Sequence, residues 1–307
     1  MSGLPTSTLD ALRDRLIGLD GVEAPVVVAC SGGPDSLALL ALADASSLQP
    51  IAIHVDHGLR PQSAVEAEVV EEHAGRLGAA FRSVRVQVMP GPNLEARARV
   101  ARYAALDDAR AATGATALLV GHTADDQAET VLLNLLRGSG SAGLGGMSAN
   151  RAGIVRPMLE LRRSETEELC AGLGFDPVRD PSNDDHAFRR NWIRHEVLPL
   201  LSSGSGRDLV PLLARQAEIL RDESEYLDAL ARGVVPTEGP MPARVLTTMP
   251  RVLARRAVRQ WVGPPPPNAD EVERVLSVAH GEVRATEVAG GRRVWRRDGQ
   301  MHVEAQG

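Results

Sequence analysis

Residues 31–36, SGGPDS, gather the features of an anion site into six positions. VVVAC (26–30) precedes them and a leucine- and alanine-rich run follows, so a strand leads in and a helix leads out. Backbone N–H groups of such a loop and of the first helical turn point at whatever lies there, and the helix dipole favours a negative charge. Gly32 and Gly33 let the backbone approach a phosphate, and Ser31 and Ser36 add hydroxyl donors. Asp35 cannot face a bare phosphate, so a phosphate-bound Mg²⁺ is its expected partner. Taken alone, the loop also fits an ordinary strand–helix turn.

Three further segments carry groups able to do chemistry. HVDHGLR (54–60) ends a second strand and contains His54, Asp56, His57 and Arg60; in isolation it is a turn with two histidines. GHTADDQAET (121–130) begins with Gly121 and His122 and places Asp125, Asp126 and Glu129 on the first turns of a helix, Asp126 and Glu129 sharing a face. These two carboxylates can bind a cation, accept a proton or cap the helix, with Asp125 read as the cap. The His and Asp spacing fits no standard zinc pattern. In NLEARARVARYAAL (93–106), Arg99 and Arg102 share a face, suited to phosphate or carboxylate recognition or to surface salt bridges.

The elements that must position these groups alternate. Strand runs at 26–30, 51–57, 81–88 and 117–122 are separated by helical patterns at 36–46, 64–78, 94–113 and 125–137. This predicts an α/β protein with a doubly wound, mostly parallel sheet, whose ligands bind beyond the carboxyl ends of the strands. A glycine-rich loop (138–147) follows, and 180–199 turns from polar loop into helix. The composition breaks at SSGSG (202–206), which divides the chain into a catalytic domain, 1–203, and a smaller, mainly helical C-terminal domain, 204–307. The latter opens with a helix (207–232) and ends in a short hairpin region near 290–299.

Composition excludes several classes. All 34 basic residues are arginine, so a Walker A lysine and a Schiff-base lysine are both ruled out. Two distant cysteines and the absence of a leader or a long apolar run predict a cytoplasmic protein that enters no membrane. Net charge is −6, yet from Arg244 onward 11 arginines face 7 carboxylates, which leaves about −10 for residues 1–243. A basic end on an acidic body is a docking signal or a solvated surface.

The loop SGGPDS, with Pro34 at its centre, resembles the SGGxDS loop of the PP-loop ATP pyrophosphatases, which implies ATP as ligand and AMP and pyrophosphate as products. HVDHGLR, the 93–106 helix, RGSGSAGLGGM (137–147), RPML (156–159) and DPSN…RRNWIRHEVLP (180–199) resemble, in order, segments of the tRNA(Ile)-lysidine synthases. Beyond residue 200 the likeness is only of length and charge, as in that family's short form.

The resemblance implies that the wobble cytidine of a CAU anticodon in tRNA(Ile) is adenylated and then attacked by the amine of free L-lysine. It implies Asp35, Arg99, Asp126 and Glu129 as catalytic groups, with Mg²⁺ on Asp35. Residues 31–36, His54, Asp56, His57, Gly121 and His122 would hold ATP. Arg60, Arg102, Tyr103, Asn183, Arg190, Asn191, Arg194, Arg292 and Arg293 would meet tRNA or lysine. A homodimer stays open. A tRNA thiolase, an amide-forming ligase and a non-catalytic ATP-binding module are the competing readings.

Overall fold

Four apolar residues, Val26–Ala29, form β1, and the first three are fully buried. A strand covered on both faces reads as an unbroken hydrophobic run, as a central parallel strand must. The computed structural model describes residues 6–56, 63–89, 91, 94–178 and 189–305. His57, Arg60 and Asn183, together with the DPSN segment, lie outside them.

The chain divides into two compact units, 1–219 and 220–307. The first starts with α1 (Thr6–Arg13), then alternates β1, α2 (Pro34–Ala45), β2 (Pro50–Asp56), α3 (Ser63–Leu77), β3 (Ala80–Arg85), α4 (Leu94–Thr113), β4 (Leu118–Val120) and α5 (Ala124–Leu136). A short α6 (Ser141–Leu144), β5 (Asn150–Arg151), β6 (Ile154–Val155) and α7 (Arg163–Gly172) follow. α8 (Arg189–Trp192) passes through a π-helical turn, Ile193–Val197, into α9 (Leu198–Ser205), and α10 (Leu209–Arg232) runs across the division.

Strand order is β3-β2-β1-β4-β6-β5, parallel except for the β5–β6 pair. The order reverses direction between β1 and β4, so their carboxyl ends flank a switch point, where open α/β sheets form their ligand crevice. On one face of the sheet α2 packs with Val26, Val28 and Leu119, its own Leu37, Leu39, Leu40 and Leu42 fully buried. On the other, Leu106 of α4 meets Val27, Ile53 and Leu118. A helix apolar all round, such as α2, has to be a buried one.

The glycine-rich loop is strapped to α5. Gln127 donates to Met147 O (2.9 Å) and accepts from Met147 N (2.8 Å), and Asn134 donates to Gly143 O (2.7 Å). The expected boundary at 203/204 differs from the observed division. SSGSG belongs to the last turn of α9, closed by Gly206 with φ 65°, and the units separate inside α10.

The second unit holds β7 (Met241–Pro242), α11 (Ala243–Thr248), α12 (Arg251–Val262), α13 (Ala269–His280), β8 (Ala285–Val288), β9 (Arg292–Arg297) and β10 (Gln300–Ala305). Its strands form an antiparallel sheet, β7-β10-β9-β8, beside helices that make up most of its regular structure, as expected. The hairpin near 290–299 is β9–β10, turning at Asp298 (φ 50°) and Gly299 (φ 76°).

Candidate active site

At the switch point lies a cleft of about 1100 Å³, lined by residues of the 31–36 loop, the ends of β2 and β4, α4 and α7. Gly33 caps α2 and Pro34 occupies its first turn, which leaves Asp35 at the helix start. Ser36 Oγ accepts from Ser31 N (3.2 Å) and donates to Gly33 O (2.9 Å), bracing the loop from within. Gly32 turns with φ 84° against Val178, so its freedom serves the turn rather than a phosphate contact. Gly121 serves a close approach: a Cβ there would lie 2.9 Å from Asp35 O.

Thr123 caps α5, and the residue completing the capping box is Asp126, not the expected Asp125. Thr123 N donates to Asp126 Oδ2 (2.9 Å), which leaves Oδ1 for the cleft. Asp125 instead accepts from Arg163 N (2.8 Å) and Arg162 Nε (3.1 Å), tying α7 to α5.

Arg163 is the hub that sequence reasoning missed. Its Nε faces Asp35 Oδ2 (3.3 Å), Nη2 donates to Asp126 Oδ1 (2.9 Å) and Nη1 approaches Glu129 Oε1 (3.4 Å). Thr166 donates to Asp35 Oδ1. From the 189–197 segment, Arg190 Nε donates to Glu129 Oε2 (2.6 Å) and Nη2 to Asp126 Oδ1 (3.1 Å). Arg194 Nε donates to Glu129 Oε1 (2.7 Å). Three carboxylates thus meet three guanidinium groups, with Glu129 fully buried among them. Arg190 and Arg194, expected to face tRNA or lysine, are engaged here, and Asn191 beside them is buried.

The electrostatics separate these carboxyls. Burial raises the Asp35 pKa against the pull of Arg163 and Thr166. Burial also pushes Asp126 up, but Arg163 and Arg190 outweigh it and hold its carboxyl below the usual range. Burial brings His122 down to about 4, so its imidazole is neutral. His54 Nδ1 donates to the Cys30 carbonyl (3.0 Å). His54 Nε2 and His122 Nδ1 are buried without a partner among the described residues, as atoms awaiting a ligand are.

Arg102 and Tyr103 line the cleft, while the Arg99 guanidinium lies over the Tyr103 ring at 5.1 Å. Asp56 lines it too. One wall, Phe175–Val178, carries no motif that would mark it in the sequence. His73 of α3 stacks on Phe175 at 4.5 Å, and Val178 N donates to Gly32 O (2.9 Å).

Among the described residues no group of three or more His, Cys, Asp or Glu side chains converges as a ready-made metal site. Magnesium bound with a nucleotide takes one or two carboxylates and fills its remaining positions with phosphates and water. Asp35 and Asp126, held on one guanidinium in a polar cleft, fit that demand.

The PP-loop domain model matches residues 12–201. A tRNA(Ile)-lysidine synthase of Thermobifida fusca is 38% identical across 99% of this chain and 100% of its own length. The chain belongs to the tRNA(Ile)-lysidine synthases. A second member of the family, from Nocardia farcinica, is 45% identical over 80% of this chain and 77% of its own. Among solved structures, a U34-tRNA thiolase from Methanococcus maripaludis superposes with a TM-score of 0.58 at 19% identity, covering 70% of this chain and 79% of that one. That likeness concerns the fold alone.

The arginine-rich strand of the second unit departs from expectation. Alternation along β9 puts Arg292 and Arg296 on the face of buried Val294, and Arg293 and Arg297 on the opposite face with Trp295. Arg292 is spent on the carbonyls of Ala289, Pro264 and Pro265, and Arg296 on Ala279 O (2.7 Å). Arg293 stands between Glu287 and Glu304 on the neighbouring strands. The four arginines therefore form no single basic patch. No described helix is long and apolar enough to cross a membrane.

Proposed function

We propose that this chain forms lysidine on tRNA(Ile) in two steps within the 31–36/121–129 cleft: adenylation of the wobble cytidine, then displacement of AMP by free lysine. The observation that carries the assignment is the approach of Asp35 and Asp126 to one guanidinium at the switch point, beside the loop amides. The first step builds negative charge on the α-phosphate as the cytosine O2 attacks. Loop N–H groups and fixed arginines stabilise such charge without reorganising. Magnesium, held by Asp35 and Asp126, would neutralise the polyphosphate when bound. His54 and His122, facing the cleft with unpartnered nitrogens, suit the polar groups of the nucleoside.

The second step needs a neutral amine, although free lysine has a pKa of ~10.4. Asp126 and Glu129 are the carboxylates at hand. Asp126, with its depressed pKa, is a weak proton acceptor and suits a metal cation better than a proton. A flipped-out anticodon base can reach such a cleft because a single-stranded loop is cheap to splay. The second unit is proposed to dock tRNA, and a homodimer is compatible with this reading.

The thiolase reading needs a reactive thiol. Cys30 and Cys170 are both buried, and burial pushes each thiol up to about 12, so neither is a thiolate near neutral pH. Incubation with labelled lysine, ATP and tRNA(Ile) tests the assignment: label should enter tRNA with release of AMP and pyrophosphate. ADP as the nucleotide product would overturn it.

A further inference from the structure

α7 begins against its own dipole. Arg162 is its N-cap and Arg163 its first residue, although the aligned peptide dipoles already make that end positive. Carboxylates from distant segments answer this charge. Arg162 meets Asp125 and Asp208, and Arg163 meets Asp35, Asp126 and Glu129. Asp35 lies on the first turn of α2, after β1, and Asp126 on α5, after β4, so one guanidinium spans the switch point. Arginine's planar fork can bind two carboxylates at once, which a lysine ammonium does poorly.

We propose that Arg163 occupies the divalent-cation position of the cleft, holding Asp35 and Asp126 together until metal and ATP arrive, and then turns to the phosphates. This rests on reading Asp35 and Asp126 as the pair that faces Mg²⁺. A cation bridging both carboxylates must displace the guanidinium, because Asp35 Oδ2 and Asp126 Oδ1 are the atoms it holds. Free metal alone would leave that guanidinium, only 19% exposed, without its strongest partners at a positive helix end. A triphosphate changes the balance. It supplies acceptors at a helix N-terminus, where anions bind readily and arginine–phosphate pairs are strong. Metal and nucleotide are thereby coupled: the site resists the metal alone and accepts it with ATP. Arg163 is a positioning residue that sets this order.

Mn²⁺ standing in for Mg²⁺, followed by electron paramagnetic resonance without nucleotide, tests the proposal on the full chain. Arg163→Met should bind Mn²⁺ roughly 10-fold or more tightly than the unaltered protein, because Asp35 loses its guanidinium partner and Asp126 keeps only Arg190 and Arg194. Adding Asp35→Asn to that variant should abolish the gain. Equal affinities in folded Arg163→Met and the unaltered protein, or a gain that survives Asp35→Asn, would overturn it. Should Arg163→Met fail to fold, the unaltered protein still decides. The Arg163 Nε–H resonance, assigned by its loss in Arg163→Lys, should shift with Mg²⁺ plus a non-hydrolysable ATP analogue and stay fixed with Mg²⁺ alone. A resonance unmoved in the saturated complex, or shifted equally by Mg²⁺ alone, overturns the proposal. Both readouts are independent of product formation, so failure of the two-step reaction would show separately, as ADP in place of AMP.

Discussion

Gly121→Ala should damage the enzyme through a single methyl group. The added Cβ would lie 2.9 Å from Asp35 O, 3.1 Å from Asp35 C and 3.3 Å from Ser36 N, all backbone atoms that cannot rotate away. Comfortable carbon contacts begin near ~3.5 Å, so the loop and the end of β4 must separate by roughly 0.5 Å. Overpacking of this kind costs about 1–3 kcal/mol. For a unit of this size that lowers Tm by roughly 2–12 °C. The larger effect falls on chemistry, because the displaced atoms carry Asp35 and the loop amides. A misplacement of ~1 Å costs about 100-fold in rate, so half of that should lower kcat/KM for AMP release by roughly 10-fold. Pyrophosphate release and a thermal melt measure the two effects. Gly75→Ala, on the exposed side of α3 with nothing within 4 Å, is the control and should stabilise the protein by about 0.5–1 kcal/mol. A Gly121→Ala enzyme with unchanged Tm and a rate within about twofold would refute the reasoning.

Asp126→Asn should block adenylation itself, since its charge faces Arg163 and Arg190 beside Asp35; accumulation of adenylated tRNA in that variant would place Asp126 in the lysine step instead. Asp125→Asn should act mainly on melting temperature, because Asp125 ties α7 to α5. Acid should destabilise the protein partly through His122: the unfolded chain takes up this proton near pH 6.5, whereas the folded chain refuses it until about 4. Stability is thus lost as pH falls across that window, and His122→Asn should flatten the melting temperature there relative to the unaltered protein. Arg293→Ala with Arg297→Ala should reduce the salt dependence of tRNA binding by at most ~1 unit of log–log slope for each phosphate that is no longer neutralised. Arg292→Ala with Arg296→Ala should instead lower stability of the second unit, since those side chains hold its carbonyls.

The sheet was legible because buried parallel strands write themselves as short apolar runs, and β1 to β4 all overlap the expected segments, β2 and β3 starting one residue earlier. The loop chemistry followed, since each strand end leads directly into its polar segment. The helix cap was misplaced by one register step: α5 starts at Ala124 rather than 125, which makes Thr123 the cap and Asp126 its partner. Arg163 stayed hidden for two reasons. Arginine at a helix start looks unfavourable locally, and its carboxylates lie 37 and 128 positions away in sequence. The period of two along RRVWRR already separates its arginines onto two faces, although their density suggested one patch. Of the second unit's sheet only the β9–β10 hairpin was legible, because β7 and β8 are two and four residues long and carry too little pattern.

The cluster of Arg163, Arg190 and Arg194 has one more consequence. Guanidinium groups do not surrender protons at any pH the enzyme meets. The three guanidinium groups of this cluster are therefore inert as nucleophiles. In a chain without a single lysine, no side-chain amine can compete for an activated cytidine. The only amine of that kind that can enter the cleft and lose a proton is the one the substrate brings.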